Sequence, residues 1–326
     1  MRSDTSDLHR APVAASKKRW LLAGAWIVLV LIAFATGLDH GPVGFTVVGL
    51  FTGLLFSRDR SARAALTVTR DWLGLFAFLA LYGMSFSVAD TMGMPIQEGS
   101  VIAIDEVLGF GESWVHRTQR LIAWDQAPEW WEVSFPLVYA SHFIVSIGTL
   151  TVLYVTKRDR WKQYMSRWVA LSFVGLIGYV TMPTVPPWMA AENGTVPMVH
   201  EGNPRGWSVL DGQAISDAFV FGRDALNPIA AMPSLHAAYP MLLLVVFWPS
   251  RGPIMRAVLV SYCAFMAFTL VITGQHWLID VFAGWACAVC VHLFFRRREA
   301  EPARAAVRAV RFVTPSNAGE SARSRA

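Results

Sequence analysis

The stretch Pro233–Asp280, PSLHAAYPMLLLVVFWPSRGPIMRAVLVSYCAFMAFTLVITGQHWLID, decides the fold of this chain. Its two histidines, His236 and His276, are 40 residues apart, and the sequence between them is mostly apolar. A helix needs about 20 apolar residues to cross a bilayer, so this stretch predicts two consecutive crossings. Both histidines then lie at the same face of the membrane. Titratable side chains at the ends of membrane helices are costly to keep there, which indicates a functional site.

The composition of the whole chain also indicates a membrane protein. Hydrophobic residues make up 54% of the 326 residues and charged residues only 16%. This is more apolar than an ordinary soluble domain of this length. The sequence predicts an all-α, polytopic membrane helix bundle of about 8 spans. The apolar runs are Trp20–Leu38, Val43–Phe56, Trp72–Ala89, Val133–Thr156, Trp168–Met182, Pro233–Trp248, Ala257–Thr273 and His276–Phe295.

The distribution of Lys and Arg predicts the orientation of the bundle. Basic residues cluster in alternate loops, whereas the opposite loops contain only Arg117, Arg120, Arg205 and Arg223. By the positive-inside rule, both termini are cytoplasmic and both histidine motifs face away from the cytoplasm. The net charge of +5 therefore reflects membrane topology, and no nucleic-acid partner is predicted.

Three regions are predicted along the chain. Residues 1–19 form a cytoplasmic N-terminal tail, 20–295 form the membrane domain, and 296–326 form a disordered basic cytoplasmic tail. The first apolar run is predicted to be an anchor rather than a cleaved signal peptide. The three cysteines, Cys263, Cys287 and Cys290, all lie inside predicted spans, which argues against a disulfide framework or a zinc site.

Two outward segments are too long to be simple connections. Asp90–Glu132 mixes acidic residues with tryptophans, which predicts one or two amphipathic helices at the membrane interface. Thr184–Met232 is rich in Gly, Pro, Asn and Asp, which predicts an ordered cap or lid over the outer mouth of the bundle. Functional residues are expected where these segments meet the spans.

The histidines and one aspartate form a pattern that suits phosphoryl chemistry. His276 and Asp280 are four residues apart, so they share a face of a helix. The carboxylate can hold one ring nitrogen, which leaves the other free to attack or to accept a proton. Pro233 fits the first turn of a helix, where its missing N–H costs nothing, and His236 then lies within that turn beside free backbone N–H groups that favour an anion. The second histidine can then protonate a leaving oxygen.

Other interpretations of the same residues remain open. Each histidine alone can be a structural residue. A His–His–Asp set can also bind zinc or iron, but no further outward ligand cluster is evident, so neither a metal nor a cofactor is predicted. A proton-coupled transporter can use histidines as a relay. Such proteins often have inverted halves with broken helices, and the sequence contains no such symmetry.

Three strings give the chain a resemblance to the type-2 phosphatidic acid phosphatase superfamily. They are most similar to the branch that contains fungal inositol phosphorylceramide synthase and many bacterial membrane proteins. The resemblance covers about residues 112–295 and implies a six-helix catalytic core there. The strings are PTVPPW (Pro183–Trp188), NPIAAMPSLHAA (Asn227–Ala238) and TGQHWLIDVFAG (Thr273–Gly284).

The resemblance implies a role for each residue of the two histidine motifs. His276 is implied to be the nucleophile that forms a phosphohistidine, and Asp280 the residue that orients it. His236 is implied to be the general acid for the departing group. Ser234 is implied to belong to the phosphate-binding motif.

The chain departs from the better-known phosphatase branch in its cations. That branch has an arginine six residues before the nucleophile, where this chain has Leu270, and its upstream Lys/Arg motif is not recognisable here. A phosphate site still needs cations or aligned donors. We hypothesise that Arg223 and Arg120, with Arg117 one helical turn away, supply this charge. The alternative for each is a solvated surface position, which is favoured for Arg205.

One further histidine lies inside a predicted span. His142 is less than halfway into Val133–Thr156 from its outer end, and an intramembrane histidine is expected to face the bundle interior. Two roles stay open for His142, a contact with the substrate or the catalytic residues and a structural hydrogen bond.

The predicted topology constrains the reaction. A site that faces away from the cytoplasm lacks ATP, so the phosphoryl group must arrive already bonded in a phospholipid or a polyprenyl phosphate. His276 then passes it to an alcohol acceptor or to water. The resemblance and the missing arginine favour transfer to an alcohol, as in an inositolphosphotransferase. A lipid phosphate phosphatase is the alternative, and the lipid bilayer is the remaining predicted partner.

Overall fold

The computed structural model of the chain describes residues 62–313, apart from 123, 125 and 210–226. The described chain is α-helical, and only isolated bridges join Gln97, Thr184 and Ala230 in place of strands. The predicted all-α class is confirmed. The helices are α1 (Ala62–Val88), α2 (Gly99–Leu108), α3 (Trp114–Leu121), α4 (Ser134–Thr156), α5 (Arg158–Thr181), α6 (Pro187–Glu192), α7 (Gly202–Ser208), α8 (Leu235–Phe247), α9 (Pro253–Ile272) and α10 (Leu278–Val313).

Each predicted span that falls within the described residues coincides with one of these helices. By length and composition, three described helices are suited to cross a membrane, over Ala65–Phe86, Pro253–Ile272 and Leu278–Glu301. The segments Trp130–His142 and Ile144–Thr156 add a fourth if they form one span. The chain is therefore a multi-pass membrane protein. The predicted runs Trp20–Leu38 and Val43–Phe56 lie outside the described residues.

The last helix differs from the sequence-based prediction. α10 continues to Val313, through residues 296–313 that were expected to be disordered, so the prediction is wrong there. Alanine, arginine and glutamate dominate this stretch, and all three are strong helix formers. The polar composition of residues 296–313 is typical of disordered tails, but the same residue types also favour a solvated helix.

Contacts divide the described chain into two units. The first combines α1 up to Ser85 with Ile147–Trp161. Within it, the Trp72 ring lies against the Tyr154 ring at 5.5 Å between centroids. Arg158 stacks on Tyr154 and forms an ion pair with Asp71.

The second unit consists of Phe86–Ser146 and the chain from Lys162 onward, and it contains both histidine motifs. In it α8 packs against α9 and α10. The buried apolar core between the helices includes Met266, Leu270 and Trp277. Leu270, at the position of the arginine in the better-known phosphatase branch, is thus a core residue with no exposed surface.

The two long segments that were predicted to face outward are folded. Asp90–Glu132 contains α2 and α3, and the described part of the cap, residues 184–209 and 227–232, contains α6 and α7. Ser113 caps α3 by accepting a hydrogen bond from the backbone N–H of Val115 at 3.2 Å. α2 packs against α10 and α3 against α9, while α6 and α7 bond the loop between α9 and α10 that carries the second histidine motif.

Candidate active site

The two motif histidines meet in the structure. Nε2 of His276 lies 3.5 Å from Nδ1 of His236, and the ring centroids are 5.5 Å apart. His276 stands just before α10, and His236 lies in the first turn of α8. The helices cross so that both imidazoles reach one point in the second unit. His276 is only 5% exposed, and His236 is half-buried.

Asp280 lies on the far side of the His276 ring. Its Oδ2 is 3.5 Å from Nδ1 of His276 and accepts a hydrogen bond from the backbone N–H of Trp277 at 2.9 Å. The carboxylate is fully buried. Because Nδ1 faces this carboxylate, Nε2 is the ring nitrogen that faces His236 and is free to act on a substrate.

Ser234 joins the two helix starts. It is the N-cap of α8, its Oγ accepts from the backbone N–H of Ala237 at 3.3 Å, and its own N–H donates to the carbonyl oxygen of Asp280 at 3.0 Å. The prediction that Pro233 lies in the first turn of a helix is wrong, because α8 begins at Leu235 and Ser234 supplies the side-chain oxygen that caps it. His236 nevertheless lies in the first turn, as predicted.

Close packing of α10 on α8 requires a residue without a side chain. A Cβ atom on Gly284 would lie 2.2 Å from the carbonyl oxygen of Ser234. That oxygen is a backbone atom, so a change of side-chain rotamer cannot move it aside. Gly284 therefore sets the distance between the two helices that carry the histidines.

His142 adds a third imidazole. Its ring lies 4.1 Å from the His236 ring between centroids, and Tyr139 stacks on His236 at 4.4 Å. Nδ1 of His142 is 2.7 Å from the carbonyl oxygen of Tyr139, and since a carbonyl only accepts, Nδ1 carries the proton. The structure thus places His142 against the implied general acid and also gives it a structural hydrogen bond.

The candidate phosphate-binding arginines on α3 are paired with an acid. Arg120 bonds both carboxylate oxygens of Glu112, and its side chain is 68% exposed. This hydrogen bond from Arg120 lowers the pKa of the Glu112 carboxyl below its ordinary value. Arg117 donates to the carbonyl oxygen of Gly109 at 2.6 Å. Arg223 lies outside the described residues, so phosphate binding by these arginines stays a prediction.

Arg205 is not solvated, contrary to expectation. It forms a two-pronged ion pair with the buried Glu132, at 2.5 Å and 3.0 Å, and its guanidinium lies over the Trp124 ring at 5.7 Å. A buried carboxylate needs such a partner, which the local sequence does not reveal. Arg205 therefore holds α7 of the cap in place.

Several hydrogen bonds fasten the cap to the loop before His276. The Gln119 side chain donates to the carbonyl oxygens of His200 and Ile272, both at 2.8 Å, and accepts from the His200 N–H at 3.0 Å. The N–H of Gly202 donates to Thr273, and that of Trp188 donates to Gly274, which adopts a φ of +70°. The cap is thus part of the site.

Two acidic residues near His276 escaped sequence reasoning. Glu201 in the cap accepts a hydrogen bond at 3.0 Å from Gln275, the neighbour of His276. Asp105 on α2 is fully buried and accepts from Leu278 at the start of α10. Both lie in segments rich in charged residues, where the local sequence predicts a solvated carboxylate. Among the described residues, no group of three or more His, Cys, Asp or Glu side chains is arranged to hold a metal ion.

Residues 100–294 match the PAP2 superfamily. This stretch is more than half of the chain, so the chain belongs to that superfamily of type-2 phosphatidic acid phosphatases, and the prediction of an enzyme of this kind is confirmed. Among its relatives is the phosphoinositol dihydroceramide synthase of Bacteroides thetaiotaomicron, which is 32% identical over 153 residues. The aligned part covers 45% of this chain and 49% of the relative, so the chain spans about half the relative's length. No solved structure matches the chain.

Proposed function

We propose that this chain takes the phospho group of a lipid-linked phosphate ester, holds it on His276 and transfers it to an alcohol. The observation that carries the proposal is the 3.5 Å approach of Nε2 of His276 to His236, with Asp280 behind the attacking ring. One imidazole is thereby oriented to attack, and a second is within reach of a leaving oxygen.

In the first step, Nε2 of His276 attacks phosphorus and the bond from phosphorus to the lipid oxygen breaks. The protonated His236 gives its proton to that oxygen, so the lipid leaves as an alcohol. The carboxylate of Asp280 stabilises the positive charge that develops on the His276 ring, as an aspartate does in a hydrolase triad. A phosphorus atom with its leaving oxygen does not fit within 3.5 Å, so substrate binding must separate the two rings.

In the second step, the acceptor hydroxyl attacks the phosphohistidine. The now neutral His236 takes the hydroxyl proton while the bond from phosphorus to nitrogen breaks. His276 returns to its free state and His236 is protonated again. The proton that His236 gives up in the first step is thus replaced in the second, and each bond that breaks at phosphorus is matched by one that forms. No cofactor takes part.

The relative's name supports a particular pair of substrates. That protein is named for the synthesis of phosphoinositol dihydroceramide, and it is similar to this chain in the matched region. We therefore propose a donor lipid with a phosphoinositol headgroup and an acceptor alcohol of the ceramide class. A polyprenyl phosphate donor is the alternative. The site faces away from the cytoplasm and both termini are cytoplasmic, as the Lys and Arg distribution indicates.

The missing cation bears on the choice between transfer and hydrolysis. With Leu270 buried in the core, no arginine reaches the site from that position. A site with less fixed positive charge activates water less and depends more on a bound acceptor, which favours transfer. Phosphate release to water is the second candidate function. Arg120 and Arg223 remain the proposed partners of the phosphate, with Ser234 and Arg117 beside them.

Trapping the intermediate tests the proposal. The full-length chain in detergent micelles is incubated with phosphatidylinositol labelled with ³²P, and acid-labile label on the protein is measured. We expect label on the wild type and none on His276→Ala, with His116→Ala on α3 as the matched control. Added dihydroceramide should move the label into a lipid product, whereas a phosphatase releases it as inositol phosphate. Turnover by His276→Ala at the wild-type rate would refute the proposal.

A further inference from the structure

A buried carboxylate on α2 holds the start of the helix that follows His276. Oδ1 of Asp105 accepts from the backbone N–H of Leu278 at 2.8 Å. Its Oδ2 accepts from Ser113 Oγ at 2.8 Å and from the N–H of Trp114 at 3.3 Å. The side chain has no exposed surface. One carboxylate thus connects α2, the start of α3 and the start of α10.

The contact with α10 lies in the middle of the catalytic segment. Leu278 is the first residue of α10, two residues after His276 and two before Asp280. The N–H groups of a first helical turn have no partner within the helix. Here Asp280 takes the N–H of Trp277 and Asp105 takes that of Leu278. Two carboxylates therefore fix consecutive peptide groups next to the attacking imidazole.

The orientation of His276 depends on this backbone more than on its own partner. The distance from Nδ1 to Asp280 is 3.5 Å, which is longer than an ordinary hydrogen bond, whereas the bonds to the backbone are 2.8 and 2.9 Å. The ring direction follows from the peptide groups on either side. A shift of the first turn of α10 would therefore move Nε2 away from the phosphorus.

The chemistry at Asp105 requires an ionised carboxylate. All three groups that contact it are donors, and only a carboxylate accepts from all of them without presenting a hydrogen of its own. A negative charge is also favourable at the N-terminus of a helix. Removing a carboxylate from water is costly unless donors replace its hydration, as they do here.

We propose that Asp105 is a positioning residue for phosphoryl transfer, because it fixes the first turn of α10 and thereby the direction of the His276 ring. This inference rests on the proposed function. Asp105 does not touch the substrate and acts through the peptide of Leu278. It also makes the catalytic geometry depend on α2 and α3, the two helices predicted to lie at the membrane interface.

The first test removes the acceptor and keeps the shape of the side chain. In Asp105→Asn the amide nitrogen cannot accept, so at least one of the three donors loses its partner. We expect kcat to fall about a hundredfold, as for a misplacement of about 1 Å, with little change in KM. Glu106→Gln, at the exposed neighbouring position on α2, is the matched control. Ser113→Ala removes a bond to the same carboxylate but leaves the contact with Leu278.

A second pair of variants leaves Asp105 untouched. Proline has no N–H and is well tolerated at the first helical position, so Leu278→Pro deletes the donor at that peptide together with the leucine side chain. Leu278→Ala keeps the donor and loses the side chain. We expect Leu278→Pro to reproduce the loss of kcat and Leu278→Ala to lose far less. Asp105→Asn should lower kcat less in the Leu278→Pro background than in the wild type, because the contact between Asp105 and the Leu278 N–H is already lost there.

A readout without substrate separates this inference from the proposed function. Diethyl pyrocarbonate modifies histidine rings, and mass spectrometry of the peptides reports the rate at His276. We expect Asp105→Asn and Leu278→Pro to change this rate, and Ser113→Ala and Leu278→Ala to leave it as in the wild type. If the wild type forms no phosphoenzyme, the proposed function fails while the modification rates still decide the role of Asp105. Equal losses of kcat and of thermal stability in Asp105→Asn and Ser113→Ala would overturn the inference.

Discussion

Substituting alanine for Gly284 should damage catalysis through one backbone contact. The added Cβ would lie 2.2 Å from the carbonyl oxygen of Ser234, which is 1.2 Å short of the 3.4 Å at which ordinary contact begins. The carbonyl cannot rotate away without a loss, because it accepts a hydrogen bond of α8 from the backbone N–H of Ala238 at 3.0 Å. α8 and α10 must therefore separate by about 1 Å at the point where their helix starts meet, and such a misplacement costs about a hundredfold in rate.

The assay compares kcat and thermal unfolding of Gly284→Ala with those of Gly148→Ala. Gly148 lies within a helix and a Cβ there meets nothing within 4 Å. We expect Gly148→Ala to retain full turnover, since alanine is the better helix former by about 1 kcal/mol. Gly284→Ala should lose kcat and about 1–3 kcal/mol of stability, as for an overpacked core. A Gly284→Ala enzyme with turnover within about twofold of the wild type would show that the spacing of the helices does not control the reaction.

Further expectations concern protonation, charge and the third imidazole. Turnover should fall at both ends of the range from about pH 5 to 9, because His276 must be neutral to attack while His236 must be protonated to donate, and a flat rate would contradict these roles. Because Arg120 lowers the pKa of Glu112, their pairing contributes stability above the ordinary carboxyl pKa and loses it as the pH falls through the lowered value. In Glu112→Gln, the midpoint of thermal unfolding should no longer show this small decrease at acid pH. A midpoint that depends on pH as in the wild type would contradict the contribution of this pair. Arg120→Gln should lower kcat/KM about tenfold if a charge-assisted phosphate contact is lost, and unchanged kinetics would exclude Arg120 from the site. His142→Gln should lower kcat about tenfold because the ring against His236 is lost, while an equal effect of a distant variant, His116→Gln, would point to general destabilisation.

The meeting of the three candidate catalytic residues could be predicted from the sequence because it depends on spacing alone. A separation of 40 residues with two apolar runs returns His276 to His236, and a separation of four places Asp280 beside His276. These relations survive any error in where a helix begins. They hold in the structure even though Pro233 precedes the N-cap residue Ser234 and does not lie in the first turn of α8.

The partners of the acidic residues were not accessible in the same way. Asp105 bonds Leu278 across 173 positions, and Arg205 bonds Glu132 across 73. Local sequence around each gives a charged, apparently solvated stretch, because burial is decided by elements that are distant along the chain. The helical structure of residues 296–313 was not predicted for another reason. Composition alone does not distinguish a solvated helix from a disordered tail.

The fastening of the cap determines how a lipid can enter. Lifting residues 199–202 would break the two hydrogen bonds between Gln119 and His200 and the bond from Gly202 to Thr273 together, each worth about 1 kcal/mol or more when a buried group is left unpaired. The strain would fall on the peptides before His276, so an upward opening would disorganise the nucleophile at the moment of entry. Under the proposed function, a sideways route from the bilayer would avoid that conflict, because a lipid that keeps its tails among the acyl chains leaves the hydrogen bonds of the cap intact.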